Sequence, residues 1–222
     1  MQVSEFIIKV REMLVDPDEV RWTDVEMMSW LDSGYGQLLT HRPDANAQLI
    51  THTCVAGPLQ TIDPALNGPL LLDVTRNIKT IDTVEVPGTP VHLVSLELAD
   101  MLLDTWYTSP AASDSQVAEY MYDDRIPANF YVSPNATAET KLEIAISVIP
   151  SRHIAVTETI PVNLRYIEAL VDYVAYRAYL RDSSNSHSKD MAKLFLQSFS
   201  STLGIKLSID NAAQPAAIKE AI

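Results

Sequence analysis

Basic charge, cysteine and long apolar runs are all scarce in this 222-residue sequence, and each scarcity excludes something. Sixteen Lys and Arg stand against 29 Asp and Glu, a formal net charge of −13. A protein that binds duplex DNA carries a basic patch that displaces counterions from phosphate, and no Lys/Arg cluster occurs here. Net negative charge keeps a chain soluble and repels nucleic acid. It suits an ordinary solvated surface, or a wall past which DNA slides without sticking.

The single cysteine, Cys54, rules out an internal disulfide and fits a reducing compartment. It falls in a strand-like run and reads as buried filler. No apolar run approaches the ~18 residues of a membrane span. The opening MQVSEFIIKVREML mixes charges into its apolar positions, which marks an amphipathic helix and not a secretory signal.

Signatures of bond chemistry are missing too. His41, His52, His92, His153 and His187 show no HExxH or HxH spacing. No G-x-S-x-G elbow and no P-loop occurs. Acidic pairs such as Asp123-Asp124 and Asp16/Asp18 are what an acidic chain holds by chance. Asn135-Ala136-Thr137 matches a glycosylation sequon and reads as a plain turn. The expectation is therefore no enzyme, with no catalytic, metal or cofactor-binding residues and no cofactor.

What is present is helix at both ends and strand between. Val3, Phe6, Ile7, Val10, Met13 and Leu14 make one face at a period near 3.6, with Ser4 as the expected cap and Asp16-Pro17-Asp18 as the stop. A second helix starts at Thr23-Asp24-Val25-Glu26, a capping box in which Thr23 and Glu26 satisfy each other's backbone N–H. Trp22 sits where it staples onto Met27. Val25, Met28, Leu31, Tyr35, Leu38 and Leu39 line one face, beside Trp30. Gly34 and Gly36 interrupt this helix, and Pro43 ends it.

Residues 46–161 lose the helical period. Short β-rich runs appear at 48–56, 70–74, 81–86, 91–96, 129–133 and 142–149. Ten of the 13 prolines fall within 46–161, spacing these runs with turns as an antiparallel sandwich requires. Residues 95–106 read as a short helix capped by Ser95. Helix returns over 164–181, with Leu164, Ile167, Leu170, Val171, Val174 and Ala178 on one face. A last helix over about 188–203 carries Met191, Phe195, Phe199 and Leu203, and Gly204 is suited to the position just past its end.

The fold class expected is α+β: a helical bundle built from residues 1–45 and 162–205, a β-rich, sandwich-like insertion at 46–161, and a loose tail at 206–222. Neither two-helix piece buries its stripe alone, so the halves pack on each other. Tyr166, Tyr173, Tyr176 and Tyr179 add more aromatic surface than one bundle needs, which makes them candidates for contact between copies. Ile205, Leu207, Ile209, Ile218 and Ile222 space apolar residues along the tail, a pattern that orders on a partner.

Taken in order, R-W-T-D-x-E-M-x-x-W-L (Arg21 to Leu31), Arg42-Pro43-Asp44-Ala45, Tyr122-Asp123-Asp124-Arg125-Ile126-Pro127 with Phe130-Tyr131-Val132 and Pro134, and the helical run Glu168 to Ala178 resemble the head-to-tail adaptor (connector) proteins of tailed bacteriophages. The resemblance covers roughly residues 3–203. It implies a structural protein at the head–tail junction of the virion, made in the host cytoplasm. It implies a homo-oligomeric ring, commonly dodecameric, docked beneath the portal protein. The ring extends the DNA channel without binding DNA specifically, and gives tail tube or nozzle proteins a place to attach. The C-terminal isoleucines and Leu207 become candidates for the portal interface. No membrane is implied. Gly34 and Gly36 depart from the better helix formers expected there.

Three other readings stay open from the residues: a tail-completion or neck protein further from the capsid, a hydrolase whose site forms only in the tertiary fold, and a carbohydrate- or receptor-binding module. The last would use Trp106-Tyr107 and Phe130-Tyr131 as stacking surfaces.

Overall fold

The computed structural model describes residues 1–102, 106–108, 116–182 and 186–204. In chain order, helix α1 (Val3–Leu14) and helix α2 (Asp24–His41) precede a 3-10 turn at Pro43–Asn46. Strands β1 (Ala47–Thr53), β2 (Gly57–Thr61), β3 (Leu70–Ile81), β4 (Val84–Pro90) and β5 (His92–Leu93) follow. Helix α3 (Leu96–Leu102) leads to β6 (Glu119–Tyr122), β7 (Asn129–Ala136) and β8 (Lys141–Ser147), and the chain closes on α4 (Ile167–Arg181) and α5 (Ser186–Thr202). Helices stand at both ends and the middle is β-rich, an α+β architecture. No helix among the described residues is long and apolar enough to cross a membrane.

By its contacts the chain divides into two compact units. One holds Met1–Gly34, His153–Ile160 and the residues from Leu164 onward. The other holds Tyr35–Arg152 with Pro161–Asn163. The division cuts α2 between Gly34 and Tyr35, while the boundaries expected from the sequence fall at 45/46 and 161/162.

In the helical unit α4 packs on α5 and on α1. Helix α1 buries Val3, Phe6, Ile7, Val10 and Leu14 of the expected face, leaves Met13 exposed at its edge, and adds Arg11. Its cap is Gln2 and not Ser4: the Gln2 backbone N–H donates to the Glu5 carboxylate at 2.9 Å. Starting two residues earlier suits the chain because residues 1–4 also pair with the segment 156–160, through Val3 N–H to Glu158 O and Ser4 N–H to Val156 O. The capping box of α2 is as expected, with Thr23 N–H to Glu26 Oε2 at 3.1 Å and Glu26 N–H to Thr23 Oγ1 at 3.4 Å. Trp22, Met27, Met28, Trp30 and Leu31 are buried, but Val25 is 69% exposed and leaves the expected stripe. Likewise Leu164 is 64% exposed, because it lies in a 3-10 turn (Leu164–Tyr166) ahead of α4 and not on its buried face.

The second unit contains two four-stranded sheets, ordered β1-β8-β3-β4 and β2-β7-β6-β5. Their inner faces share one core that includes Leu71, Val74, Tyr120, Phe130, Val132, Leu142, Ile144 and Ile146. Alternating strands give each sheet one apolar face, and two such faces cover each other. Pairing is antiparallel except for the short β5–β6 match. Two strands were not legible in the sequence. Strand β2 opens with Gly57-Pro58, which reads as a turn, and β6 spans only four residues. Asn135 lies inside β7 and not in a turn. Helix α3 does start from Ser95, whose Oγ accepts the Leu98 N–H at 3.2 Å.

Candidate assembly surface

Arg11 is the organising group of the helical unit. It lies on the apolar face of α1, one turn from Ile7 and Leu14, and its side chain is only 5% exposed. A charge buried this deeply is tolerated only when paired and hydrogen-bonded. Its Nη2 donates to Asp24 Oδ1 at 2.6 Å, and Nη1 stands 3.6 Å from Asp16 Oδ2. The Asp16 carboxylate, itself 4% exposed, accepts the backbone N–H groups of Val20, Arg21 and Trp22. The α1–α2 connection is thus wrapped around one carboxylate. Val15 and Glu19 take left-handed backbone conformations to allow the wrap (φ 55° and 58°). A β-branched residue in that region is strained; Val15 takes it as the C-cap of α1, where its N–H donates to Glu12 O and the Asp16 N–H donates to Arg11 O. The same connection presents Val15 (84% exposed) and Val20 (81% exposed) to solvent.

In the sequence Asp16 reads as part of a helix stop and of a chance acidic pair with Asp18. The available signal was Arg11, a charge standing at an apolar position of the stripe.

Ion pairs tie α1 to α4 (Lys9 with Glu168), α2 to α4 (Glu26 with Arg181), and the α1–α2 connection to the residue just past α4 (Arg21 with Asp182). All are substantially exposed, and such pairs contribute little each. A shallow cleft of about 270 Å³ is lined by Arg21, Trp22, Arg181 and Asp182. Its Arg21 guanidinium stacks over the Trp22 ring at 5.1 Å and pairs with Asp182, while Arg181 is taken by Glu26.

The four candidate tyrosines divide. Tyr166 and Tyr173 are buried within the single chain. The Tyr173 ring lies 5.4 Å from that of Phe199, and its hydroxyl accepts from Arg177 at 3.2 Å. Tyr176 and Tyr179 are half-buried, with Tyr179 stacked on Phe195 at 5.7 Å. Exposed apolar groups in the same unit include Ile8, Val25, Ile154, Leu180 and Leu194. The tail candidates Ile205, Leu207, Ile209, Ile218 and Ile222 lie outside the described residues.

Among the described residues no cluster of His, Cys, Asp and Glu could hold a metal ion. Burial pushes the Cys54 thiol up to about 12, so it is a poor nucleophile at neutral pH. The Glu158 carboxylate is held below its usual range by the His153 ring (Nδ1–Oε2 2.9 Å) and by the N–H groups of Ile154 and Ala155, an arrangement that fixes a loop. Of the four rings considered for stacking on sugars, Tyr107 is 54% exposed and Tyr131 half-buried, while the other two are internal. Phe130 is fully buried in the sandwich core, and Trp106 is buried with its Nε1–H on Asp100 and its ring edge-on to Tyr131.

The sequence matches the family described as SU10 adaptor protein over residues 1–219. The chain belongs to this family. It is a family of phage head-to-tail adaptors, structural proteins and not enzymes. Family membership places the chain's role at the head–tail junction of a virion, in association with portal and tail proteins. No curated protein matches the sequence.

Proposed function

We propose that copies of this chain assemble into a ring, dodecameric as the resemblance implies, that docks beneath the portal, extends the DNA channel and receives tail or nozzle proteins. The observation that carries the reading is the family match across nearly the whole chain. Three features support it. The net charge of −13 suits a conduit that DNA crosses without adhering. The rigid α1–α2 connection and the half-buried Tyr176 and Tyr179 offer apolar surface for a neighbouring copy. The tail supplies Ile205, Leu207, Ile209, Ile218 and Ile222 for the portal. The helical segments, 1–45 and 162–205, supply the ring's wall.

Assembly in the host cytoplasm is then coupled to docking, with tail segments ordering as they meet the portal. Sedimentation of the purified chain, alone and with portal, tests this. The expected result is a monomer or small oligomer alone and a portal-sized complex carrying many copies in the mixture. Independent sedimentation of the two proteins at all ratios overturns it.

A further inference from the structure

A sheet edge is a row of unpaired backbone N–H and C=O groups, and proteins guard such edges with proline, bulges or shortness. Three of the four edges in this sandwich are guarded. Strand β4 carries Pro87 and Pro90 and faces a register shift in β3. Strand β2 contains Pro58 and its own register shift, and β5 is two residues long. Strand β1 has none of these. Its seven residues, AQLITHT, pair with β8 in unbroken register, with no proline and no Lys, Arg, Asp or Glu.

The Cys54 N–H donates to Thr140 O at 2.9 Å, continuing that ladder. Antiparallel alternation therefore turns Gln48, Ile50 and His52 toward β8 and points the backbone groups of Leu49, Thr51 and Thr53 at the open edge. On the core-facing side Ile50 is only partly covered by the core. The next core-facing residue, His52, stacks edge-on against Phe130 at 5.5 Å. The incomplete cover of Ile50 marks β1 as lacking a neighbour.

We infer that β1 accepts an added strand, and that the strand is residues 205–209 of an adjacent copy. A strand laid beside β1 needs apolar residues at every second position, since successive side chains face opposite sides of a sheet. The segment directly after Gly204 has that pattern: Ile205-Lys206-Leu207-Ser208-Ile209. Its three apolar side chains extend the cover over Ile50, and Pro215 separates it from Ile218 and Ile222. This rests on the ring reading above, in which copies stand side by side. It divides the tail into a proximal part that links copies and a distal part left for the portal.

The test uses the chain ended at Gly204, which keeps every described residue, and a peptide covering residues 204–210. Amide hydrogen exchange is followed residue by residue. Saturating peptide is expected to slow exchange at Leu49, Thr51 and Thr53 at least tenfold, and a scrambled peptide is not. The full chain at high concentration is expected to show the same protection, which dilution removes. Thr51→Pro, which guards the edge without removing a bond to β8, is expected to abolish protection by peptide at Leu49 and Thr53 while the melting temperature stays close to that of the parent chain. Unchanged exchange, or protection at β2 or β4 instead, overturns the inference. Protection by portal but not by the peptide overturns the choice of occupant. A ring that forms on portal with β1 still unprotected leaves the adaptor reading standing and this inference refuted.

Discussion

Gly34 lies directly against Tyr173: a Cβ built on Gly34 would stand 3.1 Å from Tyr173 Cδ1 and 3.2 Å from Leu170 Cδ2. Gly36, two residues on, has nothing within 4 Å of such a Cβ. The two glycines therefore have opposite meanings. Tyr173 is held by Phe199 and Arg177 and Leu170 is fully buried, so neither gives way easily. Gly34→Ala gains about 1 kcal/mol of helix propensity and meets an overpacking cost of about 1–3 kcal/mol. The expected net result is a lower melting temperature. Gly36→Ala keeps the propensity gain without a clash, and is expected to stabilise by about 1 kcal/mol. Thermal melts of the two variants check both signs.

Asp16→Ala removes the acceptor for three backbone N–H groups and one partner of buried Arg11. Leaving a buried charge short of its partner costs about 3 kcal/mol or more. Chemical denaturation is expected to show a loss of that size. A loss within the range of an ordinary surface substitution would mean that the α1–α2 connection holds itself without Asp16.

Trp22→Ala and Trp30→Ala are each expected to cost about 3 kcal/mol or more, since the side chains are 3% and 9% exposed in the single chain. A melt that barely moves would show that the ring in question contributes little packing of its own.

The loop 153–158 has a pH dependence of known sign. The Glu158 carboxyl is held below its usual range, first by His153 and then by the Ile154 N–H. A depressed acid contributes order above the unfolded carboxylate value of about 4.3, and that order is lost as pH falls through the lower folded value. Exchange protection at Ile154 and Ala155 is expected to hold from neutral pH down to about 4.3 and to be lost as pH falls further, through the lowered folded value. Glu158→Gln is expected to remove the pH dependence.

These residues also show what could be read before the fold was known. The period near 3.6 in Val3, Phe6, Ile7 and Val10 placed α1 to the residue, and the Thr23/Glu26 pair placed the start of α2, because both signals are local. The sandwich was legible from turn spacing. What failed was non-local or short. The cap moved to Gln2 because residues 1–4 pair with 156–160, a contact that no window near the N-terminus contains. Val25 follows the helical period and still faces solvent, since periodicity gives a face without saying how wide the covered stripe is. Strand β2 was hidden by Gly57-Pro58, residues that an edge strand tolerates and that sequence reading assigns to turns. The Arg11–Asp16–Asp24 network joins groups that sequence spacing does not connect, and Tyr173 looked like spare surface because Phe199, which covers it, lies on another helix.

The most direct measurement is cryo-electron microscopy of portal mixed with this chain. The expected image is a closed ring of additional density beneath the portal, with the four-helix segments forming its wall and a continuous axial channel. Portal particles with no added density at any mixing ratio would contradict the account.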